Sequence, residues 1–309
     1  MRKYFFQYRT SQKISFFILF LSFSLASNAQ DPSSKLYKSS VLTPVNSFTG
    51  GVEGPATDGN GNIYAVNFSR QGTIGIITPE GKASLFIELP NGSIGNGIRF
   101  NKHGDMLIAD YINHNILKVD MATRKLSVFS NEPRMTQPND IAIDKKGRLY
   151  ASDPNWKAGT GRIWRIDTNG KTTLLDSMGT ANGIEVSPDN KLLYVNESVQ
   201  RKVWVYNLSS KGEVSNKRLF HEFPDFGMDG MRCDVDGNLY ITRHGKGTIV
   251  KLSPAGKVLK EIILTGKKPS NVAFGGKDGR TMYVTLQDQG NMESFLVDVP
   301  GREWKMRKK

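Results

Sequence analysis

The sequence predicts an all-β fold, a six-bladed β-propeller whose blades are four-stranded antiparallel sheets, and three observations carry that prediction. A polar anchor recurs about every 43 residues, as Glu53-Gly54-Pro55, Asn96-Gly97-Ile98, Asn139-Asp140-Ile141, Asn182-Gly183-Ile184, Asp229-Gly230-Met231 and Ser270-Asn271-Val272. Each anchor leads through a short apolar alternation and a Gly-containing turn to an apolar-aromatic run such as Asn62-Ile63-Tyr64-Ala65-Val66 or Asn238-Leu239-Tyr240-Ile241-Thr242. Two further β-rich runs complete the repeat, as in Thr73-Ile74-Gly75-Ile76-Ile77 and Ala83-Ser84-Leu85-Phe86-Ile87. A fixed period in the low forties marks a repeat architecture, and period-two alternation between turn residues marks strands. Four strands repeated six times make a propeller.

Taken in order, residues 1–29 read as a secretory signal. Arg2, Lys3, Arg9 and Lys13 precede the apolar run Ile14 to Ala26, and Ser27-Asn28-Ala29 supplies the small residues that a signal peptidase reads. The run is too short to span a bilayer comfortably. The expected destination is the periplasm, with no membrane attachment after cleavage. Residues 30–40 are polar and expected to form a flexible arm. A single propeller domain then occupies residues 41–309.

Within that domain, Val41 to Phe48 is the expected outer strand of blade six, because the chain has little left after Ser294-Phe295-Leu296-Val297-Asp298-Val299. Pairing there closes the ring and removes free sheet edges. Blades one to four turn through Gly59-Asn60-Gly61, Lys102-His103-Gly104, Lys145-Lys146-Gly147 and Pro188-Asp189-Asn190, all ordinary tight-turn chemistry. Blade three carries an insertion from Pro154 to Gly161, whose Trp156 is expected to stand exposed at one rim. The tail, Pro300 to Lys309, is expected to pack outside the ring or fray.

Composition narrows the function. The formal charge of the 309 residues is +13, and it falls to about +9 once the signal's four basic residues are removed. The remainder is scattered, with neither a basic stripe nor an aromatic platform of the kind that binds nucleic acid. The sole cysteine, Cys233, permits no intrachain disulfide and reads as a buried strand residue. These features leave a small-molecule partner and a monomer or weak homo-oligomer.

In a propeller the innermost strands line the central channel, so the six anchors converge at one mouth. Glu53, Asn96, Asn139, Asn182, Asp229 and Ser270 all carry side-chain oxygen. Turn capping explains an Asn or Asp singly, but not Glu53, nor two carboxylates crowded in one ring. Such a pair is costly to bury unless a positive charge lies between. Oxygen ligands without His or Cys suit one divalent metal ion, Ca²⁺ first and Mg²⁺ or Mn²⁺ next, with Zn²⁺ the least suited.

Several motifs resemble the senescence-marker-protein (regucalcin) and gluconolactonase family: Glu53-Gly54-Pro55, Ala181-Asn182-Gly183 with Ser187-Pro188-Asp189, Met228-Asp229-Gly230-Met231-Arg232, and Ser270-Asn271-Val272-Ala273-Phe274-Gly275-Gly276. The step Ser152-Asp153-Pro154 looks like the bacterial gluconolactonase branch. The resemblance runs from Glu53 to about Thr285. It implies a propeller with one catalytic divalent metal that hydrolyses sugar lactones. It also implies metal ligands at Glu53, Asn182 and Asp229, and a substrate contact at Asn139. The family's usual aromatic after Glu-Gly-Pro is replaced here by Ala56 and Thr57.

A carboxylate at the metal's edge can hold and deprotonate the attacking water, which makes Asp229 the expected general base. Loops between the second and third strands open on the same face, so Asp153, Glu197, His244 and Gln287 are candidates for binding sugar hydroxyls. Of the four histidines only His244 falls at that rim, and no Gly-x-Ser-x-Gly elbow accompanies it, so a serine triad is not supported. Two rivals share the anchors: an arylesterase-type hydrolase on the same metal, and a non-catalytic binding propeller.

Overall fold

A computed structural model describes residues 1–5, 7, 36–90 and 92–307. The chain divides into Met1–Ser34 and Lys35–Lys309, and the second unit is the propeller. The signal's apolar run and most of the arm lie outside the described residues.

The strands follow the repeat. After β1 (Ser40–Val41), blade one comprises β2 (Phe48–Thr57), β3 (Ile63–Phe68), β4 (Thr73–Ile77) and β5 (Ala83–Glu88). Blade two comprises β6 (Gly95–Phe100), β7 (Met106–Asp110), β8 (Asn115–Val119) and β9 (Leu126–Asn131). Blade three comprises β10 (Ile141–Ile143), β11 (Leu149–Asn155), β12 (Thr160–Ile166) and β13 (Thr172–Met178), and blade four β14 (Ala181–Val186), β15 (Leu192–Glu197), β16 (Lys202–Leu208) and β17 (Val214–Glu222). Blade five comprises β18 (Met231–Cys233), β19 (Leu239–Arg243), β20 (Thr248–Leu252) and β21 (Val258–Ile263). Blade six has β22 (Pro269–Gly275), β23 (Thr281–Leu286) and β24 (Asn291–Leu296), and a short helix α1 (Arg302–Arg307) follows. Each sheet is antiparallel, and the fourth strand of blade six is β1.

Four of the six turns that join first to second strands share one chemical cause. Asp58 Oδ1 accepts from the amides of Asn60 at 2.8 Å and Asn62 at 2.9 Å, and the same bracket recurs at Asn101, Asp144 and Asp234. A short side chain that hydrogen-bonds its own backbone two residues on is what such a turn selects. Apolar faces of adjacent blades then interlock. Tyr64 and Val66 of blade one, for example, pack with Ile98, Met106 and Ile108 of blade two. Cys233 is 2% exposed within the cluster between blades four and five, as its strand position predicted.

Ring closure is real but shorter than expected. Only Ser40 and Val41 pair with Ser294 and Glu293, while Phe48 belongs to the innermost strand of blade one. The intervening stretch turns back along the seam, with Leu42 N donating to Met292 O at 2.8 Å and Phe48 N to Gly290 O at 2.9 Å. The last part of the arm is engaged as well, since Tyr37 N donates to Leu296 O at 2.8 Å.

The tail corrects a second expectation. Instead of packing outside or fraying, it enters the far mouth of the central channel. Arg302 is 2% exposed, its Nη1 lies 3.3 Å from Glu185 Oε1, and its Nη2 donates to Ile143 O at 2.8 Å. Glu303 reaches Arg99 Nε at 2.7 Å. Arg99, Glu185 and Arg232 each stand three residues after an anchor, so inner-strand geometry delivers them to the channel. Asp140 binds both Arg99 and Arg232. Ion pairs thus occupy the channel between its two mouths.

Candidate functional site

At the open mouth lies a cavity of about 410 Å³. Its floor is built from Glu53, Asn96, Asn139, Asn182 and Asp229, five of the six anchors. They meet because the inner strands crowd the axis. Gly54 has φ of 56°, and a Cβ there would lie 2.0 Å from Asn96 O. At Gly230 the same atom would strike the Asn271 amide at 2.0 Å. Glycine at these two positions therefore lets neighbouring inner strands approach so closely.

The two acids crowd each other. Glu53 is 4% exposed, and its Oε2 accepts from Gly54 N at 2.6 Å and Asn271 Nδ2 at 3.0 Å. Burial, and next the charge of Asp140, raises the Glu53 carboxyl to about 7. Burial, and next Glu53 itself, pushes Asp229 well above the usual carboxylate range. The Asn182 side chain opposes this shift, and the Asp140 charge adds to it. Two carboxyl groups this close share either a proton or a cation. The amide oxygens Asn96 Oδ1, Asn139 Oδ1 and Asn182 Oδ1 are buried and have no hydrogen-bond partner among the described residues. Buried acceptors are rarely left so, and several together beside two carboxylates form a hard-cation donor set.

This set has two carboxylates completed by amides. No group of three or more His, Cys, Asp or Glu is placed to hold a metal among the described residues.

The walls come from the loops between second and third strands, as the repeat predicted. Gln71, Tyr111, Trp156, Ser198, His244 and Gln287 each supply one side, with His244 Nε2 and Gln287 Oε1 3.2 Å apart. Two expected residues lie elsewhere. Asp153 is fully buried, with Oδ1 accepting from Thr136 N at 2.6 Å and Gln137 N at 2.7 Å and Oδ2 from Trp164 Nε1 at 2.9 Å. It pins the loop that presents Asn139. Glu197 turns to Gly179 N at 2.7 Å, and its neighbour Ser198 takes the place at the cavity. Ser270, the sixth anchor, donates to Val52 O at 2.7 Å and does not line the cavity. Asn271 beside Glu53 was missed. Its signal was the Asn standing where four of the other repeats have Gly.

A second cavity of about the same volume opens at the opposite mouth, walled by the turns at residues 101–104 and 144–147 and by Glu303 and Met306. It gathers none of the anchors.

The SMP-30/Gluconolactonase/LRE-like region model matches residues 53–288, from the first anchor to the last blade. This chain belongs to that family. It is 28% identical over 285 residues to a gluconolactonase of Zymomonas mobilis, covering 79% of each protein. It is 30% identical over 169 residues to a 6-deoxy-6-sulfogluconolactonase of Pseudomonas putida, covering 52% of this chain and 58% of that one. Among solved structures, a calcium-binding regucalcin from Agrobacterium tumefaciens superposes with a TM-score of 0.73 at 21% identity, covering 85% of this chain and 97% of that one. That last likeness shows the fold. In this SMP-30/gluconolactonase member, the match begins at Glu53 and includes every floor residue of the cavity.

Proposed function

We propose that this protein is a divalent-metal-dependent lactonase that opens a sugar lactone by attack of water, exported to the periplasm by its N-terminal signal. The observation that carries the reading is the floor of the cavity, where orphaned amide oxygens converge on two mutually repelling carboxyls. Charge in the channel agrees with it. Glu53, Asp140, Glu185, Asp229 and Glu303 face Arg99, Arg232 and Arg302, which leaves two negative charges for a dication to balance. Glu53, Asn182 and Asp229 are the proposed ligands, with Ca²⁺ the preferred ion. When bound, such an ion supplies Lewis-acid polarisation of a carbonyl oxygen.

The chain's own residues do the rest. Asp229 has its basicity raised by burial, and it takes a proton from the attacking water. The water oxygen bonds to the acyl carbon, the ring C–O bond breaks, and the proton passes to the departing ring oxygen, leaving a hydroxy acid. Asn139, held by the Asp153-pinned loop, orients the substrate. His244 and Gln287 stand at the wall to meet its hydroxyls.

A pH-indicator assay on sugar lactones and aryl esters, with and without chelator, tests the proposal. Lactone turnover that chelation abolishes is expected, and Asp229→Asn should lower turnover by about 10²–10⁴-fold. Metal-dependent turnover of esters alone would transfer the assignment to an arylesterase. No metal response with either would leave a binding propeller.

A further inference from the structure

The chain carries a formal charge of +13, yet neither lysine nor arginine stands among the described residues that line the cavity. The two acids occupy its floor, and burial holds His244 below the ordinary histidine value. With the proposed dication balanced by Glu53 and Asp229, an anionic substituent lying against the walls would find neither lysine nor arginine among their lining residues to pair with. A charge taken out of water without a partner costs more than one hydrogen bond returns.

The walls are also unlike one another. On the side of blades two and three, Trp156 Nε1 donates to Tyr111 Oη at 3.1 Å, which fixes an indole that is 38% exposed. Ile112, beside Tyr111, extends this apolar surface. Blades five, six and one instead contribute His244, Gln287 and Asn67. An aromatic platform facing a set of amide and imidazole groups matches a saturated ring that has an apolar C–H face and a hydroxylated edge.

We infer that the cavity selects an uncharged polyhydroxylated ring, packed on Trp156 and oriented by Gln287 and His244, and rejects the same ring bearing a phosphate or sulfonate. That the ring is a lactone rests on the reading above; its neutrality and its aromatic platform rest on the walls.

Calorimetry on calcium-saturated protein, with glucono-δ-lactam and its 6-phosphate as probes, measures this selection without requiring turnover. The neutral lactam should bind at least about tenfold more tightly than its phosphate, a difference of about 1.4 kcal/mol. Trp156→Ala should weaken the neutral lactam by about tenfold, and Trp156→Phe, which keeps an aromatic face, should restore most of the loss. Gln287→Arg should recover binding of the phosphate. Equal affinity for the two probes, binding of neither, or neutral-probe affinity indifferent to Trp156→Ala would each overturn the inference. Turnover of the matching neutral lactone is followed separately on the wild-type sample. Selective binding without hydrolysis would remove the lactonase reading and support this one.

Discussion

Asp140 Oδ2 accepts a hydrogen bond from Arg232 Nη1 at 3.1 Å, joining the start of the inner strand of blade three to that of blade five. Its other oxygen lies 3.5 Å from Arg99 Nη1, and all three side chains are at most 2% exposed. Asp140→Asn therefore takes the carboxylate from Arg232 and leaves Arg99 with Glu303 alone. The expected loss is about 3–5 kcal/mol, the cost of breaking a buried pair from one side. Urea denaturation measures it, and an unchanged midpoint would refute a structural role for the network.

The tail should behave as part of the core. Removing residues 301–309 exposes the channel's far mouth and takes Arg302 from Glu185 and Glu303 from Arg99. A fall in melting temperature of several degrees is expected, since about 1 kcal/mol shifts a domain of this size by a few degrees. Wild-type melting in the truncated chain would mean the plug is dispensable.

Closure of the ring makes a parallel prediction at the other end. Deleting residues 1–43 removes the Ser40–Val41 pairing and the Thr43 hydroxyl that accepts from Met292 N at 2.9 Å. It leaves β24 as an open edge. Lower melting temperature and concentration-dependent aggregation are expected, followed by calorimetry and light scattering. A monodisperse, equally stable truncation would show that three strands suffice in blade six.

Stability of the metal-free protein should depend on pH through Glu53. Its carboxyl rises from 4.5 unfolded to about 7 folded, by burial first and the Asp140 charge second. A group raised on folding contributes fully below its unfolded value, and that contribution is lost as pH climbs through its folded value. In chelator the urea midpoint should therefore drop between about pH 4.5 and 7. Saturating calcium should offset the drop, because protons and the cation compete for the same oxygens. A chelated midpoint that rises across this window would contradict the burial of Glu53 without a counter-charge.

Asn271 should tune the metal without binding it. Its Nδ2 donates to Glu53 Oε2 at 3.0 Å, so Asn271→Ala leaves that oxygen held by Gly54 N alone. Partners that orient a ligand typically contribute about 10–100-fold in affinity. Calcium titration should show a loss of that order with the stoichiometry kept, whereas Glu53→Gln should remove most binding. Unchanged affinity in Asn271→Ala would confine the residue to packing.

Much of this was legible in the sequence because repetition averages out local ambiguity. A single Asn-Gly is only a turn, but six polar anchors at one period place six side chains around one axis. That reasoning found Glu53, Asn96, Asn139, Asn182 and Asp229, and the same period located Trp156, His244 and Gln287 at the rim. Where the repeat itself slips, it misled: Ser270 sat in the anchor register, while Asn271 holds Glu53. The rim register also placed Asp153 and Glu197 correctly along the chain without saying which way their side chains turn. Asp153 is claimed by two backbone amides and an indole, and Glu197 by Gly179 N.

The sequence by itself determined the number of blades, their strand order and the polar ring at the channel mouth, because each depends on periods of two and of about 43 that neighbouring residues enforce. Tertiary structure alone decided the Asp140 bridge to Arg99 and Arg232, the entry of Arg302 and Glu303 into the far mouth, and the contact between Trp156 and Tyr111. These contacts join residues from 41 to more than 200 positions apart. Their partners are chosen by which buried charges and donors must be satisfied once the ring has closed, and no local pattern encodes that choice.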